Sequence, residues 1–156
     1  MTRVKVGVTL KMYDYFTYEP KSVAAIADQA RRAEAVGFNS VWVMDHVFIQ
    51  RAGRRVLAHE PLLSLAQVAA ATTRVRLGSL VLCHAFRHPG QLAREASSLA
   101  DLSAGRFVLG LGTGWHKAEF DALGCPSTIV WAVWRRRSRP CRSSWPATRD
   151  PSLDRG

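Results

Sequence analysis

Long apolar runs are missing from this 156-residue chain, and none approaches the roughly 18 residues of a membrane span. The basic opening, MTRVKVGV, also lacks a signal-peptide core, so no membrane partner is expected. Cysteine is scarce. The three present, at 83, 125 and 141, have no zinc-like spacing, and their odd number leaves one outside any disulfide scheme. A reducing, cytoplasmic setting is the expectation. No HExxH pattern occurs, and no metal is expected. Lysine is absent from residues 127–156, where seven arginines stand against two aspartates. Half of the net charge of +10 therefore sits in the last thirty residues.

What is present before that tail is an alternation of strand-like and helix-like segments. Val4, Val6 and Val8 alternate across a first strand near 4–9. Ser22 is placed to cap a helix whose apolar stripe is Val23, Ile26, Ala27, Ala30, Ala33 and Val36, with Gly37 as its stop. Ser40-Val41-Trp42-Val43-Met44 reads as a buried strand. Residues 47–59, with three arginines, read as an irregular loop. Pro61 and Pro89 each suit the first position of a helix. Further strands are expected over 75–83 and 106–111, and a helix over 116–123.

Four strands joined by three helical crossovers imply parallel pairing. A doubly wound sheet would put a glycine-rich turn after the first strand, but Lys11-Met12-Tyr13-Asp14-Tyr15 holds no glycine. Polar or special residues instead follow the later strands: Asp45-His46, His84 to His88, and Gly112 to Trp115. That is how a barrel builds its site. The expected fold is α/β, a partial (β/α)8 TIM barrel of about four parallel strands with outer helices, over residues 1–126. Residues 127–156 are expected to be a basic, low-order tail whose arginine-rich, lysine-free composition is that of GC-rich coding sequence read out of frame. The alternative is a real basic tail binding RNA, DNA or an acidic surface.

Chemistry points to the strand ends. Asp45-His46 joins a group that exchanges protons near neutral pH to a carboxylate able to orient it. The bland alternative is a polar pair leaving the core where its strand does. His84, Arg87 and His88 suit an anionic ligand, although Pro89 explains local stiffness without one. Gly110-Leu111-Gly112-Thr113-Gly114 is not a dinucleotide fingerprint, being GxGxG after the fourth strand. Its glycines permit close backbone approach to a flat or anionic ligand, and such turns also occur without ligands.

Three stretches carry a resemblance: VKVGVTL (4–10), GFNSVWVMDHVF (37–48) and VRLGSLVLCHAFRHPGQLAREASSLADLSAGRFVLGLGTGWHKAEFDALG (75–124). Over residues 4–124 the chain resembles the luciferase-like monooxygenase superfamily of bacterial luciferase, alkanesulfonate monooxygenases and deazaflavin-dependent oxidoreductases. The resemblance implies a (β/α)8 barrel binding FMN or coenzyme F-420 (the deazaflavin, F420) and a small-molecule substrate. His46 falls on the family's active-site histidine, and Asp45 on the acidic place before it. Leu80-Val81 falls where many members have a non-prolyl cis peptide supporting the ring. Thr113 falls where bacterial luciferase has a phosphate-contacting arginine. Trp115 takes the place of the acid of deazaflavin glucose-6-phosphate dehydrogenases, which speaks against that sugar-phosphate chemistry. Leu80, Val81, His84, His88, Gly112, Thr113, Gly114 and Trp115 are thus the expected cofactor contacts, with His46 and Asp45 catalytic. The family's later strands are expected beyond residue 124 and are not found. An oxidoreductase or monooxygenase by descent is therefore expected to be inactive as this chain, self-associating through open barrel edges and binding no nucleic acid. The alternative is a non-catalytic partial barrel, or a binding module acting through the Arg/Trp-rich tail.

Overall fold

The computed structural model describes residues 4–14, 16–51 and 53–125; the expectations for the 127–156 tail lie outside the described residues. Among the described residues, eight strands and four α-helices follow in chain order: β1 (Gly7–Thr9), α1 (Val23–Ala35), β2 (Ser40–Val43), β3 (Phe48–Arg51), β4 (Arg54–Leu57), α2 (Pro61–Ala71), β5 (Arg76–Ser79), β6 (Leu82–Cys83), α3 (Pro89–Leu102), β7 (Phe107–Val108), β8 (Leu111–Gly112) and α4 (Lys117–Ala122). The main sheet runs β1-β2-β5-β7, parallel throughout. Helices flank it, as an arc of a barrel requires. None of the described helices is long and apolar enough to cross a membrane.

The helix starts follow from their caps. Ser22 Oγ accepts from Ala25 N–H at 3.2 Å, and the Glu60 carboxylate accepts from Leu63 N–H at 2.8 Å beside Pro61. One face of each helix then closes the core. Ile26 and Ala30 of α1 and Leu65 and Val68 of α2 join Val41, Val43 and Leu77 of the sheet in a single cluster, all fully buried. Two polar fasteners complete this layer. Glu34, near the end of α1, accepts from the N–H groups of Thr73, Arg74 and Val75. Arg106 donates to the carbonyls of Ala69, Thr72, Val75 and Ser103, and so ties off the end of α2.

Three expectations change. Residues 47–59 are not an irregular loop, because β3 and β4 form an antiparallel ribbon with Phe48 opposite Leu57 and Ile49 opposite Val56. The apolar pairs are too few to stand out among the arginines. Arg55 covers the Phe48 ring at 4.7 Å, so part of the charge serves the packing. The strand expected over 75–83 divides into β5 and β6 around a cis peptide at Leu80-Val81. There the chain changes partners: Leu80 N–H donates to Val43 O at 2.7 Å, and Leu82 N–H to Gly110 O at 2.8 Å. β6 then pairs with β8, so the last strand divides as well.

Candidate active site

Parallel strands deliver the loops after β2, β6 and β8 to one end of the sheet. There a cleft of ≈ 380 Å³ is lined by Asp45, His46, Leu80, Val81, Gly112, Thr113, Gly114 and Trp115, with Met44, Cys83, Phe86 and Glu119. Eight of the ten expected site residues therefore share one opening. His84 and His88 do not line it. The His84 Nδ1–H faces Gly112 O at 3.3 Å, so that ring buttresses the glycine turn. His88 stands at the N-cap of α3 and lines an adjoining cavity of ≈ 680 Å³, along with His59, Glu60 and Arg87.

The glycines turn out to accommodate the protein's own atoms. A Cβ at Gly112 would lie 2.5 Å from Val81 Cγ2, and one at Gly114 would lie 2.7 Å from Cys83 Sγ. Close approach is required, but by the neighbouring β6 segment. Cys83 is buried, which pushes its thiol pKa up, and its Sγ–H points at Thr113 O at 3.4 Å. Thr113 Oγ1 donates to Gly114 O at 3.3 Å. Leu80, Val81 and Trp115 are 55%, 41% and 80% exposed, and they give the cleft an apolar wall.

Asp45 is engaged on both oxygens. Arg87 grips it with Nη1 on Oδ2 and Nη2 on Oδ1, and Cys83 N–H donates to Oδ2 at 2.8 Å. The same guanidinium reaches Glu60 Oε1 at 2.9 Å, so one side chain links the ends of β2 and β6 to the start of α2. Burial works against the charge on Arg87, and hydrogen bonds to Asp45 and Glu60 more than restore it, raising its pKa above the ordinary arginine value.

His46 has a different partner. Its Nδ1 lies 3.0 Å from Oε1 of Glu119, a side chain only 4% exposed. The same oxygen accepts from Val47 N–H at 2.8 Å and Phe48 N–H at 3.4 Å. An oxygen already accepting two N–H groups sets His46 as the donor through Nδ1, leaving Nε2 as the basic nitrogen. His116 Nδ1 stands 3.7 Å from Glu119 Oε2. Sequence reasoning missed Glu119 and His116. His116 caps α4 and Glu119 lies in its first turn, and only the approach of that helix start to the end of β2 reveals them.

The match that decides the lineage is to the luciferase-like monooxygenase model, which covers residues 6–137. The chain belongs to that family. The match runs past residue 124, where the stretches that carry the resemblance end. Among curated relatives, an F420-dependent glucose-6-phosphate dehydrogenase from Kineococcus radiotolerans is 39% identical over 69% of this chain and 32% of its own length. An F420-dependent hydroxymycolic acid dehydrogenase from Mycobacterium tuberculosis is 36% identical over 76% of the chain and 32% of its own. The chain thus spans about a third of the length of these relatives. Of solved structures, a monooxygenase from Streptomyces bottropensis superposes with a TM-score of 0.67 at 27% identity, over 83% of this chain and 39% of that one. The coenzyme F420-dependent tetrahydromethanopterin reductase of Methanopyrus kandleri gives 0.64 at 28% identity, over 80% and 31%. Coenzyme F420 is named for three of these four similar proteins.

Proposed function

We propose that the chain forms the ring-binding part of a flavin- or deazaflavin-dependent oxidoreductase acting on a small organic substrate, with His46 as its proton-handling side chain. The observation that carries this reading is the meeting of His46, the Leu80-Val81 segment and Gly112 to Trp115 around one cleft, in a chain of this family.

The cleft suits the ring better than the rest of the cofactor. Leu80 and Val81 offer an exposed apolar wall to a flat tricycle, and Trp115 stands beside them. Among the described residues lining the cleft there is no lysine or arginine to meet a phosphate. When bound, the ring supplies the electron chemistry, which is hydride transfer for the deazaflavin and oxygen chemistry for reduced FMN. The chain's own task is placement and proton handling. Glu119 holds the His46 Nδ1–H, which leaves Nε2 to take or return a proton at the substrate. Asp45, with both oxygens occupied, acts by fixing the end of β2 through Arg87, as a positioning residue. With an open apolar wall and no lysine or arginine for the phosphate among the described lining residues, the chain alone is assigned no turnover.

Fluorescence titration of FMN and F420 against the 156-residue chain tests this. Weak quenching that is diminished by Trp115→Ala and by Val81→Asp supports the site. Quenching indifferent to both places the cofactor elsewhere, and turnover by the chain alone would refute its assignment as silent.

A further inference from the structure

His46 and His116 are distant in sequence, yet one ligand atom from each of His46, His116 and Glu119 lies within 4.8 Å of the others. Two imidazoles and a carboxylate are the donor set of open zinc sites, where three protein ligands leave a fourth position for water. Mg²⁺ and Ca²⁺ seek oxygen donors and are poorly served by two nitrogens. Zinc–ligand distances of about 2.0–2.2 Å set tetrahedral donor atoms about 3.3–3.5 Å apart, so a gap of up to 4.8 Å has to close by up to about 1.5 Å. His46 and His116, with side chains 25% and 27% exposed, give an ion both the play and the access it needs. The carboxylate is already oriented. Backbone N–H groups of Val47 and Phe48 hold Oε1, leaving Oε2 toward His116, which is the outer support that metal ligands commonly receive.

We infer that His46, His116 and Glu119 form a binding site for a divalent first-row ion of the Zn²⁺ type. Ligation at Nδ1 of His46 moves the single proton of the neutral ring to Nε2, so that ring releases no proton; a ring that starts as imidazolium gives one proton to solvent, and the same count holds for His116. With its proton on Nε2, His46 no longer accepts one there. The ion is thus an inhibitor of the chemistry proposed above. That consequence rests on the functional reading, whereas the binding does not.

The test is a titration of the chelator-treated 156-residue chain with Co²⁺ as an optical probe, followed by competition with Zn²⁺. One equivalent should give the visible bands of four-coordinate Co²⁺, and Zn²⁺ should abolish them. The His46 and His116 ring resonances should shift at the same equivalent of Zn²⁺. His116→Ala, at a partly exposed side chain, should weaken Zn²⁺ binding at least about tenfold with the fold intact by circular dichroism, and Glu119→Gln should act in the same direction. His59→Ala and His88→Ala should change nothing. Unaltered affinity in His116→Ala overturns the site, as does binding that disappears when Cys125 and Cys141 become serine. Zn²⁺ binding without any cofactor binding would leave this site standing and sink the oxidoreductase reading; the reverse result would do the opposite.

Discussion

Glu119 Oε1 accepts three hydrogen bonds, from the N–H groups of Val47 and Phe48 and from His46 Nδ1. Glu119→Ala would strand two backbone donors, one of them in a buried setting, and should lower unfolding stability by about 2–4 kcal/mol. Glu119→Gln keeps an oxygen in place and should cost clearly less, which denaturant unfolding of the two variants would show. The Asp45–Arg87 pair makes a second case. Their side chains are 5% and 15% exposed, so Arg87→Ala leaves a carboxylate without its partner and should cost about 3–5 kcal/mol. Arg87→Lys should not restore the loss, because one ammonium cannot span both Asp45 oxygens and Glu60. Thermal melts of both variants would decide this. At this scale Asp45 and His46 were legible because a polar pair ends an apolar strand. Their duties were not. Arg87 comes from the turn before α3 and Glu119 from the first turn of α4, both far along the chain, and no local pattern separates a buried glutamate at a helix start from a surface one.

Elements are held together by a few side chains that bind backbone. Glu34 joins α1 to the turn before β5 through three N–H groups. Burial is the strongest single influence on its carboxyl and disfavours the charge, but the N–H groups of Val75, Arg74 and Thr73 outweigh it, and the pKa falls below the ordinary 4.5. A carboxyl whose pKa is lower folded than unfolded stabilises the fold above its unfolded pKa. That contribution is lost as the pH drops through the folded value. Glu34→Gln should therefore be less stable than the parent near neutral pH, and the gap should narrow steadily below about pH 4.5. Unfolding midpoints across that range check the sign; a constant gap would mean the charge contributes nothing. The helices were easiest to foresee, since Ser22, Pro61 and Pro89 mark their starts. The ribbon of β3 and β4 and the division at Leu80-Val81 were not. The first depends on cross-strand pairs of low apolar content, and the second on a change of strand partner that no single segment records.

For the whole molecule, the strand order β1-β2-β5-β7 leaves β1 and β7 at the margins, with no further strand paired to them among the described residues. Parallel edges expose rows of backbone N–H and C=O groups that another chain can pair with. Apolar side chains add to this: Val6 is 52% exposed, Leu109 39% and Leu111 51%. These edges and the open cleft wall therefore offer backbone groups and apolar surface to a second chain. We therefore expect the 156-residue chain to associate in solution, with a mass that rises with concentration in sedimentation or light scattering. Val6→Lys puts a charge beside the β1 edge without touching the core, and should shift the distribution toward monomer. Association that ignores Val6→Lys but yields to a charge at Leu111 would locate the contact at the β8 end of the molecule instead. A chain that stays monomeric at every concentration would mean that the margins of this sheet are covered by its own residues.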